Sequence, residues 1–227
     1  MSKHTSTRPA IESLEGRSLM SATLFCSDSS GELFKLNPST GGKSLVGRMP
    51  VVMYDIAFNK SGQLYGVDAS SALYKINSST ASVTRVGSVG GFVNGLIFAP
   101  DGKLYGSGYN HLYTINTSTG HGTLFGNFAS GINSSGDLAF DDRGNLYFTT
   151  TQDKLIRINL SSRSYTTVGS IGFHEVYGLA FMNGKLYGMS NYSEQVFQIN
   201  TSTGHGSLAH NFGAGVYGLN GAAVRNF

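Results

Sequence analysis

A phrase of about forty residues recurs along this chain, and that recurrence limits the fold more than any other feature. Leu64-Tyr65-Gly66, Leu104-Tyr105-Gly106, Leu146-Tyr147-Phe148 and Leu186-Tyr187-Gly188 stand 40, 42 and 40 residues apart. Leu24-Phe25-Cys26-Ser27-Asp28 precedes the first by the same interval and matches Leu64-Tyr65-Gly66-Val67-Asp68. A second phrase ends in asparagine: Leu33 to Asn37, Leu73 to Asn77, Leu112 to Asn116, Leu155 to Asn159 and Val196 to Asn200. A third short apolar run follows each asparagine, as in Ser44-Leu45-Val46-Gly47 and Thr84-Arg85-Val86-Gly87. A fourth precedes each Leu-Tyr: Asp55 to Phe58, Gly95 to Phe98, Asp137 to Phe140 and Gly178 to Phe181, with a last copy at Gly218 to Ala222.

Four short strands repeated five times make units too apolar on both faces to stand alone. Stacking them in a ring buries both faces and protects the strand edges. Pro100-Asp101-Gly102, Asp142-Arg143-Gly144 and Asn183-Gly184 lie where tight hairpin turns belong. The first copy begins at a second strand and the last ends on a first strand, so the C-terminal strand is expected to complete the first blade. The predicted fold is all-β: a closed five-bladed β-propeller over residues 23–227, behind a separate segment at 1–22.

Composition agrees. Glycine supplies 31 of 227 residues and charged residues only 13%, which suits many strands and turns and excludes both a disordered chain and a helical bundle. The net charge is +3 and basic residues form no run, so nucleic acid is not an expected partner. No apolar stretch is long enough for a transmembrane helix. Cys26, the single cysteine, forms no intramolecular disulfide and reads as a small buried hydrophobe.

Three resemblances add expectations. Arg8-Pro9-Ala10-Ile11-Glu12, then Leu14-Glu15-Gly16-Arg17-Ser18-Leu19-Met20-Ser21-Ala22, resembles the LEPR-x-LL segment of exported bacterial surface proteins, with Gly16 replacing Pro and Met20 replacing Leu. It implies a bacterial protein sent to the cell surface or exterior. The blade phrase is similar in style to NHL, gluconolactonase-like and quinoprotein-type propellers. The lactonases among these hydrolyse lactones with a tunnel metal, but they have more blades and none of their ligands matches here residue by residue. In blade number the chain resembles the tachylectin propeller, a lectin, but it lacks tryptophan.

The innermost strands are read as those ending in Phe58, Phe98, Phe140 and Phe181, plus the last strand. Alignment sets Tyr54, Asn94, Gly136, Tyr177 and Tyr217 at one level of the tunnel, and Asp55, Gly95, Asp137, Gly178 and Gly218 at the next. Phe92, Ser134, His174 and Glu175 come just before. Aromatic rings stack on sugar faces and amides bond hydroxyls, so Tyr54, Phe92, Asn94, Tyr177 and Tyr217 are the candidate ligand residues. The expected activity is a non-catalytic binding module, a monomer taking a glycan or a surface protein at the tunnel mouth without cofactor. The alternative is a metal-assisted hydrolase or lyase in which Asp55, Asp137 and Glu175 hold Ca²⁺ or another divalent cation. Equally, Asp55 and Asp137 have a scaffold use, accepting backbone N–H groups of neighbouring blades. The octapeptide Ile115–Gly122 recurs at 199–206; its histidines, His121 and His205, read as turn residues. Tyr65, Tyr105, Tyr147 and Tyr187, recurring blade after blade, read as packing.

Overall fold

The computed structural model describes residues 22–191, 193–212 and 218–225. The export-like segment and Tyr217 lie outside the described residues. No helix among them is long and apolar enough to cross a membrane.

Among the described residues, twenty strands form five four-stranded antiparallel sheets. The first sheet is β1 (Thr23–Asp28), β2 (Glu32–Leu36) and β3 (Lys43–Arg48), completed on its inner edge by β20 (Leu219–Arg225). The second runs β4 (Met53–Phe58), β5 (Leu64–Asp68), β6 (Ala72–Ile76), β7 (Val83–Ser88), and the third β8 (Gly95–Phe98), β9 (Leu104–Gly108), β10 (His111–Ile115), β11 (Gly122–Asn127). The fourth is β12 (Ser134–Phe140), β13 (Leu146–Thr150), β14 (Lys154–Asn159), β15 (Ser164–Ser170), and the fifth β16 (Val176–Met182), β17 (Lys185–Ser190), β18 (Gln195–Ile199), β19 (Gly206–Asn211). The inner strands β4, β8, β12, β16 and β20 neighbour one another in that order, and β20 returns to β4. The chain is a closed five-bladed β-propeller whose last strand completes the first blade.

The repeated phrases now have physical reasons. Leu-Tyr strands lie second in each blade, sandwiched on both faces, and every residue of β5, β9 and β13 is buried. The outer strands face solvent, and no residue of β7 is buried. Each recurring asparagine closes the turn after its strand: the side-chain Oδ1 of Asn37, Asn77, Asn116, Asn159 and Asn200 accepts the N–H two residues on. That turn then packs on the preceding blade. At Gly87 a Cβ would stand 1.9 Å from the Thr119 carbonyl, so the outer strand needs glycine there. His121 and His205 sit exposed on such turns.

The core is divided into five clusters, one at each interface between blades. Closure is built the same way as the other interfaces, with Leu24, Phe34, Met189, Val196 and Leu219 packed together where the last blade meets the first. Cys26 is fully buried in that cluster. Burial pushes its thiol well above its ordinary pKa, and the nearby carboxyls of Asp137 and Asp28 push it further, leaving an inert apolar side chain.

Candidate ligand site

The tunnel mouth on the Tyr54 side is a cleft of about 250 Å³. Tyr54, Asn94, Gly136, Tyr177 and Asn220 each come from a different inner strand or its approach, and Phe92 and Ser135 complete the lining. The aromatic and amide residues aligned from the sequence therefore meet, with one change: Asn220 supplies the fifth blade-level position. β20 pairs Ala222 with Cys26 and Gly221 with Ser27, so Asn220 and Gly221 hold the two levels expected of Tyr217 and Gly218. Gly218 lies three residues earlier.

A local device aims these side chains. Met53 and Asp55 pair with consecutive residues Asp68 and Val67, leaving Tyr54 as the extra residue of a β-bulge. Tyr177 is the extra residue between Val176 and Gly178, and Asn220 between Leu219 and Gly221. A bulge bends the strand and re-aims the unpaired residue, which turns two tyrosines and an asparagine out of the sheets and into the mouth.

The amides are held asymmetrically. Asn220 Nδ2 donates to the Met53 carbonyl at 3.2 Å, and its Oδ1 accepts from Asn191 at 3.3 Å. Asn94 Nδ2 donates to the Ser134 carbonyl at 3.3 Å, while its Oδ1 is buried with no protein partner. Ser135 and Thr149 hydroxyls, 2.8 Å apart, both reach the Val176 carbonyl. Phe92 stacks on Tyr109 with ring centroids 4.5 Å apart; Tyr109, at 58% exposure, extends the aromatic surface outward from the cleft.

On the rim beside Tyr177, Asp153 accepts from the Glu175 backbone N–H at 3.2 Å and holds His174 Nδ1 at 2.5 Å. Glu175 has a positive φ of 50°, which turns the chain sharply just before the bulge. Burial raises the Tyr177 hydroxyl above its ordinary pKa, and the carboxylates of Glu175 and Asp153 raise it further.

Beneath the cleft floor, Asp55 and Asp137 are wholly buried on the ring axis. Asp55 accepts the backbone N–H groups of Ile56 and Leu96. Asp137 accepts those of Leu138 at 2.6 Å, Leu179 at 2.8 Å and Ala222 at 3.1 Å. Two carboxyls thus take one N–H from each of the five inner strands. They also lie within hydrogen-bonding reach of each other, and burial pushes both well above the usual Asp pKa. The charge of Asp55 pushes Asp137 further, which favours a proton on the pair. Glycine fills this level in the other blades because the next blade approaches closely there: a Cβ would stand 2.0 Å from the Gly136 carbonyl at Gly95, 2.7 Å from Leu219 at Gly178 and 2.5 Å from Asp55 Oδ1 at Gly221.

The residues of the metal reading are not assembled. Asp55 and Asp137 are sealed in and turned to amides, whereas Glu175 is exposed on the rim. No group of three or more His, Cys, Asp or Glu among the described residues is placed to share an ion.

No protein-family model and no curated protein sequence matches the chain. Solved structures do. A chain of a nidogen/laminin complex superposes at a TM-score of 0.64 with 12% identity, covering 89% of this chain and 98% of that one. Virginiamycin B lyase from Staphylococcus aureus superposes at 0.53 with 15% identity, covering 82% and 69%. A catalytically inactive form of that lyase with quinupristin gives 0.54 with 14% identity, covering 88% and 77%. The likeness is one of fold. At these identities the likeness shows the propeller backbone alone.

Proposed function

We propose that this propeller is a non-catalytic binding module that takes a carbohydrate at the mouth formed by Tyr54, Phe92, Asn94, Tyr177 and Asn220. The observation that carries the reading is the conjunction in one cleft of aromatic rings with a buried, unpartnered amide oxygen. Rings offer flat apolar faces to the C–H side of a sugar, and amides fix its hydroxyls. One of the similar structures is a nidogen/laminin complex, which fits a propeller used for binding, and a protein ligand is the competing outcome of the screen below. With the segment at 8–22 acting as an export signal, the module works at the cell surface.

The metal-assisted alternative has less support, since the two buried carboxyls already serve five backbone amides. Metal analysis, with melting curves in EDTA and in Ca²⁺, is expected to show no stoichiometric ion and no shift; a tightly held ion would revive it.

The direct test is a glycan array followed by titration of the best hit against wild type, Tyr177→Ala and Asn220→Ala. Loss of a stacked ring is expected to weaken binding by at least about tenfold, with melting temperature little changed. Undiminished affinity in both variants would place the ligand elsewhere.

A further inference from the structure

The mouth is rich in aromatic faces and oxygen acceptors. Aromatic rings carry negative faces, and Tyr54, Phe92 and Tyr177 line the cleft. Its one buried polar atom without a protein partner, Asn94 Oδ1, is an acceptor. Among the described residues no Lys, Arg or His lines it, although the chain as a whole carries +3. At the rim, exposed Glu175 stands two residues before Tyr177, beside Asp153. They are fixed there by the Glu175 N–H to Asp153 bond and by His174 on the far Asp153 oxygen. The stacked Phe92–Tyr109 pair continues the electron-rich surface outward.

Such a surface disfavours an anion and gives a neutral sugar no charge complement. It suits a group that is at once a donor, a cation and small enough for a cleft of about 250 Å³. We infer that the glycan bound here is an amino sugar with a free, protonated amine, its ring against Tyr54, Phe92 and Tyr177 and its ammonium toward Asn94 Oδ1 and the Asp153–Glu175 rim. The inference rests on the carbohydrate reading of the mouth and narrows it to one class. The rings attract the ammonium as well as the sugar face, Asn94 Oδ1 accepts one of its protons, and Glu175 contributes a longer-range attraction that salt screens, the Asp153 charge being met by His174.

The test is calorimetric titration of the full chain with a β-1,4-linked glucosamine tetrasaccharide and with its fully N-acetylated counterpart, in buffer acidic enough to protonate the amine. Acetylation removes the charge and keeps the ring. The glucosamine form is expected to bind about tenfold tighter, the scale of a partly desolvated cation–π contact with a charge partner. The preference is expected to shrink in Glu175→Gln, whose exposed side chain makes that variant safe for folding, and to fall with added salt. A second variant, Asn94→Leu, removes the acceptor and is expected to weaken the amine form more than the acetylated one. Equal binding of the two oligosaccharides overturns the amine inference and leaves the carbohydrate reading standing. Binding of neither, with Tyr177-dependent binding of a lysine-bearing peptide, overturns both.

Discussion

The two ends of the tunnel are built from the same five strands and differ in one respect. At one end every blade places nearly the same residue, with Phe58, Phe98, Phe140 and Phe181 around a cavity of about 350 Å³ and Val224 in the fifth position. At the other, four residues back along the same strands, the blades place Tyr54, Asn94, Gly136, Tyr177 and Asn220. The uniform end is packing: Phe58 meets Phe25 edge-on at 5.1 Å and Phe98 meets Tyr65 at 5.3 Å. The varied end leaves rings in the cleft and a buried acceptor unmet. Repetition in a ring serves the contact every blade makes with its neighbour, and departure from it marks a surface that faces something other than a blade. Between the two ends sits the Asp55–Asp137 pair, irregular in sequence yet scaffold in function, so irregularity alone does not identify a ligand site. What separates the levels is satisfaction: the carboxyl oxygens are spent on backbone amides, and Asn94 Oδ1 is not.

That comparison is open to attack from three directions. The largest effect belongs to the strand that closes the ring. Removing residues 219–225 strips the first blade of its inner strand and Asp137 of one amide partner. It is expected to cost most of a stability on the order of 5–15 kcal/mol. Calorimetry should show no cooperative transition, and a melting temperature near wild type would contradict closure by β20.

Next comes the axial pair. Asp137→Ala leaves the N–H groups of Leu138, Leu179 and Ala222 without an acceptor and is expected to cost about 3–5 kcal/mol, read by chemical denaturation. The pH dependence sharpens the point. Both carboxyls are raised in the folded ring. Their contribution is therefore full below the ordinary Asp pKa and is lost as pH rises through the raised values. Asp137→Asn cannot ionise and no longer repels Asp55. Its deficit against wild type should be widest in acid and narrow as pH rises. A deficit that widens instead would mean the pair holds no proton.

The smallest effect separates the two ends directly. Phe98→Ala, at the packing end, is expected to lower stability by about 1–3 kcal/mol, since the ring is only partly buried. Carbohydrate affinity should not move. Tyr177→Ala should do the reverse, and parallel changes in both quantities for both variants would dissolve the distinction.

Much of this was legible beforehand because a ring of repeats writes its contacts into the sequence once per blade. The Leu-Tyr strands, the asparagine turns and the inner strands ending in phenylalanine could be read from spacing alone. Tyr54, Phe92, Asn94 and Tyr177 could be brought to one cleft by aligning those strands. Asn220 could not, because Val216-Tyr217-Gly218-Leu219 copies Val176-Tyr177-Gly178-Leu179 and invites the wrong alignment. The signal against that alignment is the small pair Gly221-Ala222. Gly221 leaves room for Asp55, as Gly95 does for Gly136 and Gly178 for Leu219 of the next blade, but only the pairing of Ala222 with Cys26 settles the register. The sequence likewise set Glu175 beside the two aspartates as a metal ligand. A positive-φ turn leaves it on the rim, and neither spacing nor composition carries that turn.

The sequence by itself determined the blade, the number of blades and the manner of closure, because each depends on local periodicity and on neighbouring blades that share one chemistry. Only the tertiary structure decided which residues the bulges turn into the mouth, and that Asp55 and Asp137 meet across the axis. The bulges lie within single blades, whereas the aspartate pair joins blades two apart. They are fixed by how five twisted sheets close on a common centre, which no single repeat encodes.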